Sequence, residues 1–119
     1  MALQSYKELI VWQKSMDFVE QVYGIVQKLP KEEMLGLASQ MRRAAISIPS
    51  NIAEGYKRQG LAEYIHFLSI ADASLAEIET QILLVDRLYP SIPTQSAKEL
   101  SQEIGKMLTV LIKKLKTNR

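Results

Sequence analysis

Apolar residues in this 119-residue chain recur at steps of three and four along four separate stretches, and no stretch requires a strand. In the first, Leu9, Trp12, Met16, Val19, Tyr23 and Val26 keep the rhythm of helices packed at about 20° to one another. Val11, Phe18, Val22, Ile25 and Leu29 draw a second stripe beside it. One bundle core uses one face of a helix, so two stripes predict a first helix that also touches another subunit. Ser5-x-x-Glu8 reads as a capping box opening this helix, and Pro30 ends it.

The second stretch, Gly36 to Gly55, places Leu37, Met41, Ala45, Ile48 and Ile52 on one helical stripe. Pro49 lies inside it. Its ring lacks a donor and presses on the carbonyl of Ala45, which predicts a kinked helix or two helical pieces meeting near Ser47. The third stretch runs without a fault through Leu61, Tyr64, Leu68, Ala71, Leu75, Ile78, Ile82, Val85 and Tyr89, a helix of roughly 40 Å at 1.5 Å per residue. After the turn Tyr89-Pro90-Ser91-Ile92-Pro93, a fourth helix starts near Thr94 or Ser96 and turns Leu100, Ile104, Leu108, Leu111 and Leu115 inward. The expected fold is all-α: an antiparallel, up-down-up-down four-helix bundle with a proline kink in helix 2, forming a single domain over residues 1–119.

Composition narrows the class. With 47% hydrophobic residues the chain buries one core, and no apolar run approaches the roughly 18 residues of a membrane span. The absence of any cysteine excludes disulfides and thiolate metal sites. Together with the lack of a signal-peptide pattern, this leads to the expectation of a cytoplasmic protein with no membrane partner. A net charge of +2 does not by itself announce a nucleic-acid binder. Its distribution says more. An up-down-up-down topology gathers Lys7, Lys57, Arg58, Lys113, Lys114, Lys116 and Arg119 at one end against Glu8, Glu54 and Glu63, a net of +4. Helix 3 instead carries Glu63, Asp72, Glu77, Glu79 and Asp86 against Arg87 alone.

Several blocks in register have a family look: Leu9-Ile-Val-Trp-Gln-Lys14, Leu29-Pro30 with Glu33, Gly36-Leu37, Gln40-Met-Arg-Arg-Ala-Ala45, Ser47-Ile-Pro49, Asn51-Ile-Ala-Glu-Gly55, and Phe67-Leu68 with Glu77-Ile-Glu-Thr80. Over about residues 6 to 89 they resemble the four-helix-bundle proteins encoded in intervening sequences of bacterial 23S ribosomal RNA genes. That family is also similar to the accessory protein of diversity-generating retroelements, a basic bundle that works with a reverse transcriptase and nucleic acid. The resemblance implies a ring-shaped homopentamer with no established enzymatic activity. Leu88-Tyr89-Pro90 departs from it, since such chains often carry a Leu-Gly-aromatic turn there.

Catalytic chemistry finds little support. Glu63-x-x-His66 puts a metal-ligand pair on one face, but a di-iron bundle needs two such motifs, and His66 is the only histidine. Ser47 and Ser50 have no base near in sequence, and their hydroxyls are expected to bond the carbonyls freed by Pro49. Arg42 and Arg43 have two readings: guanidinium forks for phosphate, or partners for Glu54, Glu77 or Glu79 inside the bundle. Lys113, Lys114, Lys116 and Arg119 likewise read as a phosphate-binding patch or as a solvated helix end. The leading expectation is a non-enzymatic, cofactor-free homo-oligomer that associates with RNA or DNA, or serves as a scaffold for a nucleic-acid-processing partner such as a reverse transcriptase. Lys57, Arg58, Lys113, Lys114, Lys116, Arg119, Arg42 and Arg43 form its binding surface. The alternative is a small-ligand or metal-dependent enzyme with a site between helices.

Overall fold

A computed structural model describes residues 5–117. Four helices follow one another, α1 (Ile10–Gln27), α2 (Leu37–Lys57), α3 (Leu61–Leu88) and α4 (Gln95–Thr117), with single 3-10 turns at Tyr6–Glu8 and Lys31–Glu33. Each packs on two others, α1 on α2 and α4, α3 on α2 and α4, which closes a square around one core. Ser47 meets Ser74, and Gly55 meets Phe67. Asp86 meets Lys98, Leu75 meets Gly105, and Lys14 meets Glu103. Between α2 and α3, and between α3 and α4, rising numbers on one helix meet falling numbers on the other, the register of antiparallel neighbours.

The two stripes of α1 are told apart by burial. Val11, Phe18, Val22, Ile25 and Leu29 face the core, together with Val26. The three-four stripe of Trp12, Met16, Val19 and Tyr23 flanks it, with Met16 43% and Tyr23 37% exposed. Trp12 is half-buried because Tyr6 packs edge-on against it, ring centroids 5.4 Å apart. Ser5 does not open α1 itself. Its Oγ accepts from the Lys7 amide and caps the 3-10 turn, and the extended backbone of Leu9 (φ −70°, ψ 124°) separates that turn from the helix. A short i→i+3 turn satisfies the first amides locally, so the α-helix starts one turn later than the capping pattern suggests.

In α2, Met41, Ala45, Ile48 and Ile52 are buried as their spacing predicts, and the helix continues through the buried Pro49. The long α3 buries Leu68, Ala71, Leu75, Ile78, Ile82 and Val85. In α4, Ile104 and Leu108 are buried while Leu100, Leu111 and Leu115 are half-buried. The α2–α3 seam closes most tightly at Gly55, where a Cβ would lie 2.8 Å from Phe67 Cβ and 3.2 Å from the Tyr64 carbonyl oxygen. Only glycine admits that approach. Among the described residues, no helix is long and apolar enough to cross a membrane.

Candidate nucleic-acid interface

The start of α1, the Arg58–Gly60 link and the end of α4 lie at one end of the square, because a three-residue link returns the chain beside α2 and the antiparallel register brings Ile10 against Val110. Lys7, Lys57, Arg58, Lys113, Lys114 and Lys116 are therefore gathered there, all six exposed. They are not equivalent. The Arg58 guanidinium donates to Glu54 at 3.0 Å, approaches Glu63 at 3.5 Å and lies 4.9 Å from the Phe67 ring centroid. Arg58 thus ties the α2–α3 link together, and two of the three carboxylates expected to offset this end are occupied by it. The four ion pairs of the described residues include none of the five lysines. Arg119, grouped with them from the sequence, lies outside the described residues.

Beside the lysines, Tyr56 and Tyr64 meet edge to face at 6.0 Å between centroids, and burial raises the Tyr64 hydroxyl above its usual range with a smaller contribution from Tyr56. Between α1 and α4 a groove of about 410 Å³ has an apolar floor of Leu9, Ile10, Val11, Met107, Val110 and Leu111, lipped by Lys106 and Lys114. Lys106 belongs to the same face as the lysine cluster, and the sequence reading passed over it. Its signal was its spacing: it precedes Lys113 and Lys114 by two helical turns.

Arg42 and Arg43 are not part of this end. Fourteen residues separate Arg43 from Lys57, about 21 Å along a helix. Neither arginine enters an ion pair among the described residues, so the expected pairing with Glu54, Glu77 or Glu79 does not form. Glu54 is taken by Arg58 one turn away. Glu79 accepts from Ser101 on the α4 side of α3 at 3.2 Å. Glu77 lines the same cleft as Arg43.

Ser47 also departs from expectation. Its Oγ is 2.8 Å from Ser74 Oγ on α3 and accepts from Asn51 Nδ2 at 2.9 Å, so it joins two helices instead of bonding a carbonyl freed by Pro49. The reason is placement, since Ser47 lies on the side of α2 that α3 covers. His66 is exposed, edge-on to Phe67. Among the described residues, no three His, Asp or Glu side chains converge as a metal site would require.

The model of the 23S rRNA-intervening sequence protein family matches residues 7–113. Among solved structures, a protein of unknown function from the S23 ribosomal protein family of Bacteroides thetaiotaomicron is similar over 87% of this chain and 96% of its own, with 30% identity and a TM-score of 0.78. No curated protein matches the chain.

Proposed function

The chain belongs to the 23S rRNA-intervening sequence protein family, and on that footing we propose that it is a non-enzymatic homo-oligomer that binds RNA or DNA through its lysine-bearing end. One observation carries this reading: Lys7, Lys57, Lys113, Lys114 and Lys116 stand exposed at one end without a carboxylate partner among the described residues. Unpaired, hydrated ammonium groups release counterions from phosphates at no cost in broken ion pairs. They carry no base-reading geometry, so binding is weakly sequence-dependent and falls steeply with salt. In a cyclic ring every subunit presents this end to the same side, which multiplies the field. Oligomerisation is supported by Met16 and Tyr23, large side chains left exposed on the flank of α1. Five subunits is the number the family resemblance implies, and a reverse transcriptase the kind of partner it suggests.

Replacing Lys113, Lys114 and Lys116 together by Glu tests the reading by filter retention of single- and double-stranded nucleic acids at several salt concentrations. The parent is expected to be retained at low salt and the variant not, with sedimentation unchanged because these side chains lie outside the Leu108, Leu111 and Leu115 stripe. Equal retention of both proteins, or none by the parent, removes nucleic acid as the partner. Sedimentation of the parent at 13.5 kDa removes the oligomer.

A further inference from the structure

Between α2 and α3, a polar cleft of about 430 Å³ is lined by Gln40, Arg43, Ala44, Ser47, Ser74 and Glu77. Small side chains make it: Ala44 and Ser47 on α2 and Ser74 on α3 leave the outer part of the seam unfilled, where larger residues would close it. Its two hydroxyls share one hydrogen bond of 2.8 Å, and Ser47 Oγ additionally accepts from Asn51. Two hydroxyls hold two protons and use one between them, so one O–H remains to donate.

The two helices also contribute opposite charges to this cleft. Arg43 on α2 and Glu77 on α3 are both exposed, and no ion pair of the described residues includes either. One turn beyond Glu77, Gln81 is only 5% exposed. Its Nε2 donates to Glu77 at 3.3 Å.

We propose that this cleft binds a small zwitterion of the α-amino-acid class, its carboxylate on Arg43 and the free serine O–H, its ammonium on Glu77. A guanidinium fork grips a carboxylate bidentately, and an ammonium donates to the Glu77 carboxylate on the facing helix. A polyanion meets repulsion from Glu77, a simple cation meets it from Arg43, and an apolar molecule finds hydroxyls, an amide and two charges. Arg43 is about 21 Å along α2 from Lys57, so the cleft is independent of the lysine-bearing end.

The test is titration calorimetry of the full chain with the standard L-amino acids up to about 10 mM, beside their N-acetyl and carboxamide derivatives. At least one free amino acid is expected to bind saturably, and blocking either of its charged groups to weaken it by about tenfold or more. Arg43→Gln and Glu77→Gln are each expected to weaken it by a similar factor; both side chains are exposed, and circular dichroism checks that the fold persists. Absence of saturable binding by every amino acid overturns the proposal. So does equal binding of the N-acetyl form, or affinity unchanged in both variants.

Discussion

At the end where α3 passes to α4, charged groups are tied into the turns. Asp86 accepts from the Thr94 hydroxyl and from Lys98 Nζ, the latter at 2.7 Å, which fastens the last turn of α3 to the first of α4. Tyr89 donates to Glu33 at 2.5 Å and so joins the α3 terminus to the α1–α2 link. At the opposite end Arg58 is used in this way, while five lysines stand exposed with no carboxylate partner among the described residues. Similar residue types thus serve opposite purposes at the two ends. What separates them is whether a carboxylate lies within reach, a matter of packing more than of composition.

The largest expected effect on this contrast comes from comparing the lysines with Arg58 in nucleic-acid binding. Lys113→Gln, Lys114→Gln and Lys116→Gln together should lower the slope of log affinity against log salt by about two to three, at about 0.7–0.9 per phosphate contact. Arg58→Gln should leave the slope nearly unchanged, because its charge is already held by Glu54 and Glu63. Equal slopes for both variants would erase the distinction between free and tied cations.

Stability supplies the next test. Gly55→Ala forces a methyl against Phe67 Cβ and the Tyr64 backbone, and urea denaturation should register a loss of about 2 kcal/mol. A neutral outcome would mean that the α2–α3 seam opens freely. Asp86→Ala removes two bonds from the tied end; with both partners partly solvated, the loss should be about 1 kcal/mol.

The tied end should also respond to pH. Hydrogen bonds from Lys98, then from Thr94, hold the Asp86 carboxyl below its usual range. A depressed folded value means that its contribution is present above the unfolded carboxylate value and lost as pH falls from about 5 downward. The Asp86→Ala protein should therefore converge on the parent in acid. The Glu33 bond, then burial, raises the Tyr89 hydroxyl above its usual 10. Its contribution is present below that pH and disappears as pH rises through the folded value, so Tyr89→Phe should differ from the parent at neutral pH and converge with it in strong alkali. This difference should be smaller than that of Asp86→Ala. Smallest of all is the effect expected at Pro49: Pro49→Ala restores one backbone donor, and crystal structures of parent and variant should differ in the course of α2 around Ser47. Superimposable helices would overturn the expectation of a proline kink in α2.

Much of the bundle was legible in the sequence because helical burial is periodic. The stripes of α2 and α3 need no partner to be recognised, since a 3.6-residue repeat puts Met41, Ala45, Ile48 and Ile52, or Leu68 through Val85, on one face wherever the helix lies. The turns at Pro30 and Pro90 follow from missing donors, and the grouping of the lysines follows from short links and an even number of helices. Which of the two α1 stripes enters the core was not decidable that way, because both are apolar and only the positions of α2 and α4 choose Phe18 over Met16. The same holds for the charged and polar groups. Glu54 takes Arg58, Arg43 enters no ion pair among the described residues, and Ser47 meets Ser74 across 27 positions of sequence. Periodicity assigns a side chain to a face of its own helix; its partner is set by the rotation and register of the helix opposite, which only the tertiary structure decides.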